Sequence, residues 1–447
     1  LTASAAVGPV AAGTAAVAAA GGVPVNAPPA QTAAGEFRRG WMIVVTAAVG
    51  LGCGLSALPI YTLGVFTKPL AGEFGWSRAE TQAIYTWFTI GNLLAAPLLG
   101  LLIDRQGVRR VALLSTLAVA LGFAAFGVLG GSLLSFYAIA FVTAMLGVGT
   151  VPITWTRVIV CWFSAGRGRA LGIALAGTGV SATLLPVYVT WLLSEFGWRV
   201  AYVGVAALPL ALALPLSLVY LRDHPPQPAS APGTPRERAV RAPGLPFARI
   251  VRSYRFWVLA GAFMLVGFGV AGLIANIIPI LTDRAVSPAT AARVAGVIGI
   301  CVIAGRIATG YLIDRFWAPG VALVLLNLPV IACLLLMSGL GGVPGALVAA
   351  ACIGLTAGAE FDLMAYLVSQ YFGARSYGIA YSGLYALFKV AAGAAAPLFG
   401  LSFDATGSYA TALWVGMGSC FGASLLLLTL GSYPALGEWE PLAAGGG

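Results

Sequence analysis

Three basic residues, Arg157, Arg306 and Lys389, lie inside long apolar runs, while the rest of the 24 Lys and Arg residues sit in short polar interruptions. A charged side chain at mid-bilayer costs on the order of 2.5–3.5 kcal/mol on insertion scales, so each of the three needs a cavity, a partner or a task. A guanidinium grips a carboxylate through two parallel hydrogen bonds, and an ammonium attracts it as a point charge. Arg306 precedes Asp314 by eight residues, about 12 Å of helix, which sets it well inside its span. Lys389 is followed by Ala391, Ala392, Gly393 and Ala394, small residues that leave room around an ammonium. Two inward-facing cations at similar depth repel one another in a low dielectric until an anion arrives between them. Arg306 and Lys389 are therefore expected to contact an anionic substrate. The alternative for each is a permanent partner, Glu360 or Asp362, and these two acids are also the candidate counter-ions or proton carriers. Two residues apart on one helix, they point in different directions. Tyr61, Asn276 and Tyr385 are expected to line the same site, with Tyr85, Trp87, Asn92, Tyr366 and Tyr381 as further wall or packing residues. Arg157, near the end of its span, is expected to belong to a gate.

These residues must be carried by membrane-crossing helices. The 447 residues are 60% hydrophobic and 9% charged, against about 25% charged in soluble domains, so polar side chains are too few to cover a water-facing surface. Apolar runs of the length that crosses about 30 Å of hydrocarbon recur at 41–65, 78–103, 109–130, 134–160, 170–193, 199–221, 256–281, 291–313, 319–340, 345–370, 377–402 and 408–430. The expected fold is an all-α membrane protein with twelve transmembrane helices in two six-helix bundles, 41–221 and 256–430. A disordered extension at 1–40, a cytoplasmic linker loop at 222–255 and a cytoplasmic tail at 431–447 complete the expected domains. With both ends on one side, 16 basic residues fall in loops of that side and five in the others. The positive-inside rule then makes the first side cytoplasmic, and the inner (plasma) membrane is the expected location.

Several function classes are excluded on the same ground. The net charge of +10 lies in scattered short loops, which argues against nucleic-acid binding. All six cysteines fall in apolar runs and His224 is the single histidine, so no metal site and no disulfide framework is expected. No catalytic cluster of nucleophile and base is present, and no cofactor is expected. The chain reads as a monomeric transporter in the lipid bilayer, not an enzyme.

Both halves carry a related loop. After the second span comes Gly100-Leu-Leu-Ile-Asp104-Arg105-Gln-Gly107-Val-Arg109-Arg110, and after the eighth Gly310-Tyr-Leu-Ile-Asp314-Arg315. A glycine four residues before an acid lets a neighbouring helix approach, and the carboxylate then suits a helix N-terminus. These residues are expected to control conformation, at the joint between repeats that sandwich a central site.

The segment Gly100 to Arg110 resembles the loop signature of the major facilitator superfamily, and residues 41–430 follow its plan. Within that superfamily the chain looks like the monocarboxylate porter and oxalate:formate antiporter group. The resembling segments are Gly64-Val-Phe66, Glu73-Phe-Gly-Trp-Ser-Arg78, Arg169-Ala-Leu-Gly-Ile-Ala-Leu-Ala-Gly177, Pro279-Ile-Leu-Thr-Asp-Arg284, Gly305-Arg306, Gly358-Ala-Glu-Phe-Asp362 and Phe403-Asp-Ala-Thr-Gly-Ser-Tyr409. The resemblance implies the major facilitator fold and alternating access. It implies a small carboxylate such as lactate, formate or oxalate as substrate, moved with protons or against a counter-anion. It also implies Arg306 and Lys389 as carboxylate contacts. Two positions depart from the animal-type porters: Tyr61 stands where they carry a lysine, and Val302 where they carry an acid. The other transport reading, proton-coupled efflux of hydrophobic or cationic compounds, requires a cavity acid in the first half, where Glu80 and Asp104 lie near span ends.

Overall fold

The computed structural model describes residues 33–163, 166–223, 244–373 and 375–434; the side chains of Ala33 and Asp104 and the surroundings of Gly100 lie outside the description. The first crossing is α1 (Ala33–Gly52) with α2 (Leu58–Phe74). The second is α3 (Arg78–Gln82) with α4 (Ile84–Gln106), and the third is α5 (Val108–Gly127). The fourth joins α6 (Leu133–Leu146) to α7 (Pro152–Trp162) through a 3-10 turn at Gly147–Thr150. The fifth and sixth run together in α8 (Arg167–Leu208), a π-helical turn at Pro209–Ala213 and α9 (Leu214–Tyr220). After α10 (Phe247–Arg252) come α11 (Tyr254–Asp283), α12 (Pro288–Ile313), and the ninth crossing in two pieces, α13 (Ala318–Leu325) and α14 (Leu328–Ser338). The last three are α15 (Gly342–Phe372), α16 (Tyr377–Thr406) and α17 (Ala410–Leu428).

Nine helical stretches among the described residues are long and apolar enough to cross a membrane. One of them, Arg167–Tyr220, has 54 residues; as a single helix it would be about 80 Å long, more than twice the hydrocarbon thickness. It folds back at Gly197, whose φ of 79° suits a residue without a Cβ. The first and second crossings, each split in two, complete the twelve. Both ends of the described chain and the junction between bundles lie on one face of the membrane domain, called proximal below; the opposite face is distal.

Helix α1 begins at Ala33, inside the stretch expected to be disordered, and residues 1–32 lie outside the described residues. Of the linker, residues 224–243, including His224, likewise lie outside it. Its described end forms α10 and a bridge in which the Leu245 N–H donates to the Phe372 carbonyl at 2.9 Å. The tail is described only to residue 434.

The first crossing is interrupted at Cys53–Ala57, a break the apolar pattern does not reveal. Pro59 has no N–H and its ring opposes the carbonyl four residues back, while Gly52 and Gly54 weaken the helix before it. Broken backbone in hydrocarbon must find partners within the protein. Here the Leu55 N–H donates to Thr150 Oγ1 at 3.1 Å, and Thr150 Oγ1 donates to the Gly147 carbonyl at 2.8 Å. Trp155 Nε1 donates to the Thr150 carbonyl at 3.1 Å. The breaks in the first and fourth crossings thus brace one another.

Helix α12 packs between the bundles. A Cβ on Gly299 would strike the Gly179 carbonyl and Thr183 of α8, and one on Gly179 would strike Ile303. Small residues let helix backbones approach in lipid, where apolar burial gives no drive. Outward-facing apolar side chains such as Leu94, Leu98, Leu101 and Ile307 are exposed on the surface that lipid covers.

Thr150→Val should cost about 1–3 kcal/mol, because it strands the buried Leu55 N–H. A lowered melting temperature of the detergent-solubilised protein, largely restored in Thr150→Ser, is the expected result.

Candidate functional site

Glycine packing sets the positions of the interior charges. Gly354 and Gly358, four residues apart on α15, press their backbone against α12: a Cβ on Gly358 would meet the Val302 carbonyl and Arg306 N, and one on Gly305 would meet the Leu355 carbonyl. The residues that follow Gly358 on α15, Glu360 and Asp362, are thereby carried alongside Arg306. Arg306 Nη1 stands 3.6 Å from Asp362 Oδ1, an ion pair too long for a good hydrogen bond, and Arg306 Nε has no hydrogen-bond partner among the described residues. The Arg306 side chain is 15% exposed, whereas its neighbour Ile307 is 71% exposed; the lipid side of α12 belongs to Ile307.

Glu360 is buried, and its Oε2 has no hydrogen-bond partner among the described residues. Both Lys389 and Arg306 act on it electrostatically. Lys389 on α16 is half-buried, with Nζ 5.6 Å from the centroid of the Tyr385 ring, while the lipid face of that turn is held by exposed Val390. From the first bundle, Tyr61 on α2 senses Glu360, Arg306 and Lys389, and Tyr85 on α4 senses Lys389, Tyr385 and Glu360. Two cations, two carboxyl groups and three tyrosines from five helices of both bundles therefore share one interior region. Among the expected site residues, Arg306, Lys389, Tyr61, Tyr385, Glu360 and Asp362 are brought together. The ion pair that forms at Arg306 is with Asp362, not Glu360.

Asn276 departs from its expected role as a substrate contact. It is fully buried, accepts at Oδ1 from Gln82 Nε2 at 2.7 Å and donates from Nδ2 to the Gly272 carbonyl at 3.0 Å. Its amide ties α3 to α11 across the bundle interface. Gly310 also departs from expectation: nothing lies within 4 Å of where its Cβ would stand, so no neighbouring helix approaches there. Asp314 is exposed, and Arg315 hydrogen-bonds the Tyr311 hydroxyl and stacks 3.9 Å from its ring centroid. In the first half the surroundings of Gly100 and the side chain of Asp104 lie outside the description. Next to them, Gly107 ends the second crossing at φ 82°, Arg105 and Arg110 are exposed at the proximal face, and the Arg109 N–H donates to Asp223 Oδ1 at 2.8 Å. Arg109 Nη2 also donates to the Leu218 carbonyl at 2.6 Å. A carboxylate at the start of α5 suits the helix dipole, and it comes from Asp223, which the motif does not contain. Arg157 is exposed on α7.

The sequence reading missed a second constellation, at the distal face. Arg78, at the start of α3, makes a two-pronged pair with Asp283, at 2.5 Å from Nη1 and 2.9 Å from Nη2, and donates from Nη1 to the Tyr409 hydroxyl at 2.8 Å. Its guanidinium carbon lies 3.5 Å from the centroid of the Phe403 ring. The Asp404 carboxylate accepts from the backbone N–H groups of Arg78 at 3.1 Å and Ala79 at 2.8 Å, and Lys68 Nζ reaches Asp283 Oδ1 at 2.6 Å. Glu80 is engaged in a capping box with Ser77. Three of the quoted segments, 73–78, 279–284 and 403–409, meet here and lock the two bundles together. Thr86 Oγ1 extends the closure inward by donating to the Gly393 carbonyl at 2.6 Å. All of these inter-bundle bonds lie in the distal half.

Asp283→Asn removes the shared partner of Arg78 and Lys68. Because the pair is partly exposed, the expected weakening is modest, on the order of 1–2 kcal/mol, or about five- to thirty-fold in the closed-to-open ratio. Faster labelling of a cysteine introduced at Thr86 by an impermeant maleimide on the distal side would register it.

The family model of the Major Facilitator Superfamily matches residues 49–397. The chain is 32% identical over 291 residues to human monocarboxylate transporter 11, an alignment covering 64% of this chain and 59% of that protein. It is 26% identical over 409 residues to monocarboxylate transporter 13 of Bos taurus, covering 88% of this chain and 89% of the relative. A solved structure of a bacterial homologue of the human lysosomal transporter Spinster, inward-facing and unoccupied, aligns with a TM-score of 0.61 at 19% identity, covering 88% of this chain and 95% of that one. At that identity the likeness speaks for the fold. With a family model spanning most of its length and twelve helices arranged as that family requires, the chain belongs to the Major Facilitator Superfamily and is a membrane transporter.

Proposed function

We propose that the protein carries a small carboxylate across the plasma (inner) membrane by alternating access, with Arg306 and Lys389 as its anion contacts. The observation that carries this reading is the convergence of both cations on the buried, half-unpartnered carboxyl of Glu360 at the interface between bundles. The 3.6 Å approach of Asp362 to Arg306 is loose enough for a substrate carboxylate to displace it and make the two-pronged contact that a guanidinium favours. The relatives named as monocarboxylate transporters support the substrate class. The distal lock corresponds to a state closed on one side, and the excess of basic loop residues on the proximal side makes that side cytoplasmic. Glu360 is the group placed to carry a proton in symport, since it faces both substrate-binding cations; where internal carboxylate is required instead, the protein is an exchanger.

Uptake of labelled pyruvate into proteoliposomes tests this. Arg306→Gln and Lys389→Gln should each lose about tenfold or more of the apparent affinity, as expected when a charge-assisted contact of about 1.5–3 kcal/mol disappears, with unchanged melting behaviour. Full activity in Arg306→Gln would remove it from the site. An inward proton gradient should accelerate the wild type and leave Glu360→Gln unaffected, whereas stimulation by internal carboxylate alone would favour exchange.

A further inference from the structure

Helix α16 carries a column of rings that the carboxylate contacts do not account for. Tyr377, Tyr381, Tyr385 and Lys389 follow one another at four-residue steps, so they share a face of the helix over about 18 Å. The rings of Tyr377 and Tyr381 are 5.9 Å apart and 14° from parallel; those of Tyr381 and Tyr385 are 6.4 Å apart at 16°. Phe388 continues the series 6.3 Å from Tyr385 at 15°. Phe361, which separates Glu360 from Asp362 on α15, closes on the end of the column, 5.6 Å from Tyr385 and 5.0 Å edge-on to Phe388.

Stacked rings at this spacing arise on any helix surface, but the placement of these is specific. The lipid-facing residues of α16, Ile379, Val390 and Leu401, recur every eleven residues on another face. Tyr381 senses Arg306 and Asp362, and Tyr385 acts on Lys389, so the column looks into the charged interior. Tyr377, Tyr381 and Tyr385 are each half-buried, so part of each side chain remains accessible.

A formate or oxalate ion has no apolar surface to lay on such a wall. A ring placed beside these ones gains aromatic pairing beyond its burial. Charge matching points the same way. The cluster holds two positive groups and two carboxyl groups, so one added negative charge is balanced by one accompanying proton, while a dianion demands two. Resting on the carboxylate reading above, we infer that the preferred substrate is an aryl monocarboxylate, its carboxylate between Lys389 and Arg306 and its ring against Tyr381, Tyr385 and Phe361.

Competition against labelled pyruvate in proteoliposomes tests the inference, with phenylpyruvate, pyruvate and oxalate as competitors. Phenylpyruvate should compete at least tenfold better than pyruvate in the wild type. That ratio should fall toward one in Tyr381→Ala and Tyr385→Ala and persist in Tyr381→Phe, which keeps the ring. Pyruvate or oxalate competing as well as phenylpyruvate in the wild type would overturn the aryl preference while leaving the carboxylate reading in place. A ratio intact in both alanine variants would remove the tyrosines from the site. Failure of all three acids to compete would overturn both.

Discussion

A charge in hydrocarbon must be matched or hydrated, and the interior of this protein is organised around that demand. Arg306, Lys389, Glu360 and Asp362 are the ionisable pairs of the second bundle that lie away from its ends, and they occupy one region. Separately each would be a penalty without return. Together they form a site whose balance is incomplete: Arg306 holds Asp362 at 3.6 Å, and one oxygen of Glu360 lacks a hydrogen bond among the described residues. On the function proposed above, a carboxylate substrate would complete what the protein leaves unfinished.

The scaffold that keeps these groups in place is made largely of residues with almost no side chain. Gly305, Gly354 and Gly358 let α12 and α15 touch through their backbones, which fixes the depth and rotation at which Arg306 meets Asp362. Gly179 and Gly299 do the same between α8 and α12, on the far side of the same helix. Helix α12 is therefore at once a site wall and a bundle contact. In the proposed alternating access, a change in how the bundles meet would reach Arg306 through this helix.

The distal lock provides the opposing side of that change. Its charge-assisted and aromatic contacts centre on Arg78, and they lie where water can reach them. Such contacts are modest in strength and reversible, which would suit a closure that opens in each cycle of the proposed alternating access. Inside the bundles the opposite holds: the break in the first crossing is held by buried hydrogen bonds to Thr150.

The sequence alone determined the class of solvent, the number of crossings and their division into two sets of six, because hydrophobic length is a property of short stretches. It also contained the three segments that build the lock, but as separate phrases spread over residues 73–409; which charges pair is a matter of distance between helices, and only the tertiary structure supplied it. The same limit explains Asn276, whose amide is spent on Gln82, and Asp223, which stands at the start of α5 without belonging to the loop motif. The Tyr377 to Lys389 spacing was legible as a helical face, yet whether that face met lipid or the charged interior depended on how α16 is rotated in its bundle. Rotation is set by packing against neighbours, and one chain read in order does not contain it.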